Sequence, residues 1–183
     1  MEILLVDGFE GDDPSVRIAI ETLEGRGHTV HHLDLAATDF RAHMTIEVRR
    51  AYHDEGENLL DPNAAAAAEL LHRVEALLFC GPHVTFGLPA RMKGFLDRVF
   101  IPGVAFTFDD AEKLVPKLRH IRRVGLVMRS PHDARTIRRA RDGARRYVLW
   151  TVRLNCAWTA RRTHVRLGPD EPVDRVRRAL ARW

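Results

Sequence analysis

The chain has 183 residues, 45% hydrophobic and 30% charged, which is enough for one substantial core in a globular protein. No apolar run approaches membrane-spanning length, and the first residues enter a strand with no leader-like stretch, so neither a membrane partner nor export is expected. The formal charge is +4 and the pI about 9.6, but the arginines clustered over 135–146 and 175–182 come without an aromatic-studded basic motif; they read as solvated helix faces, and no nucleic-acid partner is expected.

Taken in order, Ile3 to Val6 is an apolar strand that runs into Asp7-Gly8. A helix starts near Pro14-Ser15, buries Val16, Ile18, Ala19, Ile20 and Leu23, and ends at Gly25 and Gly27. Thr29 to Leu35 is a second strand, completing a βαβ unit. His31 and His32 sit next to each other on that strand, so they face opposite sides of the sheet and suggest no metal site. Short helices are predicted over Thr45 to Tyr52 and Asn63 to Arg73.

Leu77 to Cys80 is a buried parallel strand that stops at Gly81-Pro82. After a loop, Pro89 suits a helix's first turn, and Met92, Phe95, Leu96, Val99 and Phe100 recur at helical spacing. Lys93 and Asp97, one turn apart, read as a surface pair. Thr107 to Leu118 is a loop with an acidic patch at Asp109, Asp110 and Glu112. Arg123 to Met128 is a strand, and His132 to Trp150 a long basic helix. Thr163 to Leu167 is preferred to Arg153 to Trp158 as the last strand, and Asp170 to Trp183 is a closing helix. Cys80 and Cys156 each sit in an apolar run and read as buried free thiols, which points to a reducing, cytoplasmic setting.

This alternation predicts an α/β fold with a five-stranded parallel sheet in the order 2-1-3-4-5 and helices on both faces, one domain over 1–183. Ligands of such sheets bind in the loops at the carboxyl ends of the strands.

The run Phe86-Gly87-Leu88-Pro89-Ala90, Lys93-Gly94-Phe95, Asp97-Arg98-Val99 and Pro102-Gly103-Val104-Ala105-Phe106 resembles, in order and without gaps, the signature of the flavodoxin-like NAD(P)H:quinone oxidoreductases. Weaker similarity extends from residue 1 to about residue 127. The resemblance implies a flavin, FMN or FAD, with NAD(P)H as co-substrate and a quinone or other small aromatic as acceptor. It also implies ping-pong hydride transfer and a homodimer, for which the segment from Phe100 to Leu118 is apolar enough to be covered.

On that resemblance three loops hold the cofactor. In the first, Gly8, Gly11 and Ser15 suit a phosphate, with Phe9 and Arg17 also candidates for the cofactor, although Glu10, Asp12 and Asp13 oppose an anion and Phe9-Glu10 replaces the family's His-Pro. Asp13 or Ser15 reads equally as a plain helix cap. In the second, Pro82, His83, Val84, Thr85, Phe86 and Gly87 form the ring seat, with Phe86 as a reduced aromatic wall. His83 is either a proton or hydrogen-bond donor or a solvated loop residue. In the third, Arg129 and Ser130 replace a Thr-Thr-x-Gly stretch; Arg129 either meets a phosphate or pairs with the acids of the first loop, and His132 falls where relatives relay protons. The acids predict a weakly held flavin. The alternative is a relative that has lost the flavin and uses the cleft for another aromatic ligand, with a non-catalytic subunit as a third reading.

Overall fold

The core of the structure is a parallel sheet whose central strands are apolar on both faces, and its layering follows from that pattern. The computed structural model describes residues 1–183. Strands β1 (Glu2–Asp7), β2 (Thr29–Asp34) and β3 (Ala76–Pro82) come first along the chain. A two-stranded hairpin, β4 (Phe106–Phe108) and β5 (Leu114–Pro116), precedes β6 (Arg123–Arg129) and β7 (Arg161–Leu167). The main sheet is all parallel in the order β2-β1-β3-β6-β7. With the hairpin set aside, this is the expected 2-1-3-4-5 order of the flavodoxin-like fold.

Alternate residues of the central strands feed two separate cores. Leu4, Val6, Leu77 and Phe79 pack with α3 (Pro62–Arg73) and α4 (Ala90–Val99) on one face. Ile3, Leu5, Leu78 and Cys80 pack with α1 (Pro14–Glu24) and α7 (Asp174–Leu180) on the other. Both cysteines are free and buried. Burial raises the Cys80 thiol and pushes that of Cys156 to about 12, so both stay protonated.

α4 is held by its motif residues. Met92, Phe95, Leu96 and Val99 are buried, and Phe95 sits among Phe40, Phe79 and Phe100 with ring centroids 5.7–6.3 Å apart. Arg98 is buried too; it donates to the Arg41 carbonyl at 2.8 Å and pairs at 2.8 Å with Asp61. Asp61 also caps α3 through the N–H groups of Asn63 and Ala64. One carboxylate thus satisfies a helix end and a buried guanidinium together.

The structure departs from the sequence expectations at four elements. The expected loop over 107–118 contains the β4–β5 hairpin, turned by Asp109, whose carboxylate accepts the N–H groups of Ala111 and Lys113 at 2.9 Å. The expected helix over 45–52 is one short turn, α2 (Ile46–Arg50), capped by Thr45. The closing helix is shorter than expected, beginning at Asp174. The expected long helix over 132–150 is broken into α5 (Ala134–Arg139) and α6 (Gly143–Arg146) by Arg141 and Asp142, both at positive φ (62° and 42°). A π-helical turn (Tyr147–Thr151) and a 3₁₀ turn (Val152–Asn155) then lead toward β7. No helix is long and apolar enough to cross a membrane.

Gly94 shows how tightly α4 is seated. A Cβ there would strike the backbone of Ala42, which has no flexible end to yield. Alanine is favoured over glycine in a helix by about 1 kcal/mol, whereas overpacking against backbone costs roughly 1–3 kcal/mol. Gly94→Ala is therefore expected to lower the urea midpoint of unfolding; a variant as stable as wild type or more so would contradict this packing.

Candidate functional site

The parallel register brings the ends of β1, β3 and β6 side by side. Asp7 lies opposite Cys80, and Pro82 opposite Arg129. The loops after these strands form one surface at the carboxyl edge, where ligands of such sheets bind.

The loop after β1 is engaged with itself and its neighbours. The Gly8 N–H donates to the Cys80 carbonyl at 2.8 Å, and Phe9 N–H to the Asp7 carboxylate at 2.9 Å. A Cβ on Gly8 would come within 2.8 Å of the Met92 methyl and 3.0 Å of Pro89, so this loop packs closely against the start of α4. Asp13 caps α1: its carboxylate accepts the Ser15 N–H at 2.8 Å and the Ser15 hydroxyl at 2.5 Å. Arg129 reaches the same carboxylate from the end of β6, with Nε 2.9 Å from Oδ2. Burial works to raise the Asp13 carboxyl, but Arg129 and Ser15 together hold it below the usual carboxylate range. The other two acids face outward: Asp12 pairs with Arg17 at 2.6 Å, and Glu10 with Arg91 at 3.2 Å. All three acids therefore have a cationic partner. Arg17 is exposed and turned to Asp12, away from the Ser15 N–H.

The loop after β3 is shaped for contact with a flat group. Val84 and Gly87 exchange both backbone hydrogen bonds, at 3.2 and 2.9 Å, which closes a tight turn. Inside it Thr85 and Phe86 both take positive φ, 48° and 61°, a conformation that bulky residues adopt at a cost. Their N–H groups make no protein hydrogen bond, while every other non-proline N–H from His83 to Gly87 does. The Phe86 ring stacks on His132, with centroids 4.6 Å apart and planes at 28°. His132 is exposed and belongs to the loop after β6, where its N–H donates to the buried Ser130 hydroxyl at 3.2 Å. The structure thus joins Phe86 and His132 into one aromatic surface, which sequence spacing did not reveal.

His83 is not a solvated loop residue. Its side chain is fully buried, and Nε2 lies 3.5 Å from the Asp142 carboxylate, too poorly aligned for a hydrogen bond. Asp142 also accepts the Arg145 N–H at 3.1 Å and faces His164 at 3.9 Å. Burial tends to raise the Asp142 carboxyl; His83, the Arg145 N–H and His164 hold it low. Asp142 and His164 were not among the candidates from sequence. The one available signal was the Asp142-Gly143 dipeptide, a turn signature inside an otherwise helical run.

An apolar cavity of about 750 Å³ lies along α4 toward the amino edge of the sheet and is lined by Tyr52, Leu96, Phe100, Phe106 and Tyr147. Lys93 and Asp97 pair beside it, and the Lys93 ammonium lies 5.2 Å from the centre of the Tyr147 ring. The unpartnered donors and the aromatic stack are at the carboxyl edge instead, and that edge is the candidate site.

Comparison with known proteins agrees with this architecture. A family described by its flavodoxin-like fold matches residues 3–157. NAD(P)H dehydrogenase [quinone] 1 of Rattus norvegicus is 28% identical over 107 residues, an alignment covering 49% of this chain and 38% of that protein. The chain thus spans well under half of that relative's length. Among solved structures, an NAD(P)H:quinone oxidoreductase from Methanothermobacter marburgensis superposes with a TM-score of 0.75 at 20% identity, covering 99% of this chain and 98% of the other. An FMN-dependent NADH-azoreductase from Bacillus anthracis, solved in complex with FMN, does so with a TM-score of 0.77 at 13% identity, covering 99% and 98%. At these identities the two structures establish the shared fold.

His164 gives the site a measurable pH response. Burial pushes its imidazole down to about 4, with Asp142 pulling the other way. In the unfolded chain the imidazole returns to about 6.5. Between those values the unfolded state binds the extra proton, so stability falls as pH falls through this window. Linkage puts the loss at up to about 2 kcal/mol between pH ~7.5 and pH ~5. Chemical denaturation is expected to show His164→Asn losing less stability than wild type over that range; equal slopes would contradict the assignment.

Proposed function

The chain belongs to the flavodoxin-like fold family, and from that premise we propose that it is an NAD(P)H-dependent flavin oxidoreductase acting on quinone-like aromatic acceptors. The observation that carries this reading is the turn over 84–87: two unpartnered amides in strained conformations, beside an aromatic surface, at the carboxyl edge of the sheet. Amides of this kind suit the edge carbonyls of a flat heteroaromatic ring, and Phe86 with His132 suits its face.

The residues fit the two halves of a flavin unequally. The ring half fits, with Thr85 and Phe86 donating through their amides, and Phe86, His132 and the adjoining Pro82 and Val84 providing surface. At the start of α1 the phosphate half is already met by the chain itself, while the N–H groups of Gly11 and Asp12 make no protein hydrogen bond. Asp13 holds the Ser15 N–H and hydroxyl and the Arg129 guanidinium, the groups that would otherwise receive an anion at the start of α1. Gly8 and Phe9 have no N–H to offer, and Arg17 is turned to Asp12.

A bound flavin supplies a ring that accepts hydride from the nicotinamide and passes it to the acceptor. The protein's part is to orient and to manage protons. We place nicotinamide and acceptor in turn at one slot over the surface of Phe86 and His132, which gives ping-pong kinetics. His132, exposed at that slot, donates a proton to the reduced acceptor. His83, buried against Asp142, positions the turn from beneath. We assign the whole of 1–183 to one domain and the active form to a homodimer, because Phe108, Leu114 and Leu154 stand exposed beside the large apolar cavity.

A second reading, a relative that binds a non-flavin aromatic ligand at the same slot, draws on the filled phosphate seat. Fluorescence titration separates the two. Asp13→Asn still caps α1 but frees Arg129. FMN affinity is expected to rise about tenfold in Asp13→Asn, while riboflavin, which has no phosphate, binds both proteins alike. FMN-loaded Asp13→Asn is expected to oxidise NADH with a quinone acceptor, with parallel double-reciprocal plots. Failure of both FMN and riboflavin to bind either protein would overturn the flavin reading in favour of the second.

A further inference from the structure

A cluster of arginines lies on the other side of the ring loop, away from the first-loop seat. The break at Arg141 and Asp142 turns α5 against α6 and leaves a cavity of about 360 Å³ between them and β7. Arg138, Arg141, Arg145, Arg146 and Arg166 line it. None of the five side chains makes an ion pair or a side-chain hydrogen bond, in contrast to Arg17, Arg91, Arg98 and Arg129 elsewhere. One carboxylate, Asp142, stands among them, and it is turned inward to His83 and the Arg145 N–H. His164 adds a buried Nε2 with no hydrogen-bond partner.

Five unpaired guanidinium groups around one concavity repel each other, and a small cavity focuses their field. The shape is built at a cost: two consecutive non-glycine residues hold left-handed conformations to form it. Guanidinium forks match phosphate oxygens in geometry and charge. The cavity is also tied to the ring loop, since the Ala144 N–H donates to the Phe86 carbonyl at 3.3 Å and Gly143 lies directly against that carbonyl.

We propose that this cavity is the phosphate-binding subsite for the dinucleotide co-substrate, receiving its phosphates while its ring reaches the slot at Phe86. The assignment rests on the oxidoreductase reading for the identity of the ligand, though not for the presence of an anion seat. It also explains how the chain can fill the first-loop seat with Asp13 and still hold a phosphate-bearing molecule. A small ligand is favoured over a nucleic acid by the small volume of the concavity and by the absence of Phe, Tyr and Trp from its lining.

Calorimetric titration with pyrophosphate and with ADP tests this directly, on wild type and on Arg141→Gln/Arg145→Gln. Both side chains are exposed, and an unchanged thermal midpoint confirms that the double variant is folded. Wild type is expected to bind both probes, more weakly as salt is raised, and the double variant to bind at least tenfold more weakly. With FMN-loaded protein, the variant's KM for the nicotinamide substrate is expected to rise with kcat little changed. Equal binding of the probes by wild type and variant, or binding of a DNA duplex far more tightly than ADP, would overturn the subsite. Probe binding without any flavin binding would leave the anion seat standing and remove the dinucleotide assignment. NADH oxidation unaffected by the double substitution would remove the subsite and leave the oxidoreductase reading standing.

Discussion

A parallel sheet delivers the carboxyl ends of its strands to one edge, and the loops there must satisfy each other or a ligand. In this chain the principal tie is Arg129 on Asp13. The guanidinium takes the Asp13 carboxylate from the loop after β1 and the carbonyls of Gly168 and Pro169, at 3.2 and 3.0 Å, from the loop after β7. Asp13 in turn caps α1. One ion pair, partly shielded from water, thus fixes a helix start and three loop directions. It also places a negative group at the helix end where a fold of this kind would otherwise receive an anion from outside.

The consequence is an electrostatic division of the edge. On the side of β1, Glu10, Asp12 and Asp13 each have a cationic partner, and the N–H groups of Gly8, Phe9 and Ser15 are used. On the side of β7, five arginines remain without partners. The turn over 84–87 lies between the two, strained and with free amides. Its conformation is supported from beneath by His83 against Asp142, and from the side by Gly143, whose lack of a side chain lets α6 approach the Phe86 carbonyl. The break between α5 and α6 therefore serves both the ring loop and the basic cavity.

Much of the fold was legible in sequence because it rests on local patterns. Ile3 to Val6 and Leu77 to Cys80 are apolar on both faces, as buried parallel strands must be, and α4 carries its core at helical spacing. The run from Phe86 to Phe106 was legible for a stronger reason: Gly94 meets the Ala42 backbone and Arg98 meets Asp61, so these positions tolerate few residues. What was missed depended on tertiary partners. The hairpin was hidden by the acids of its own turn. The long helix was predicted through Asp142-Gly143 because the arginines around it are good helix formers, and only packing against Phe86 makes the break worthwhile. For Arg129 the sequence left two partners open, and distance decides for Asp13. The burial of His83 and the stacking of His132 on Phe86 join segments about fifty residues apart, beyond any periodicity.

The most direct measurement is a crystal structure of the protein with FMN. The account predicts a ring lying on Phe86 and His132, its carbonyl edge on the Thr85 and Phe86 amides, and Asp13 displaced from Arg129 if a phosphate sits at the start of α1. A phosphate seated in the first loop with the Asp13–Arg129 pair intact, or a ring bound away from residues 82–87, would contradict it.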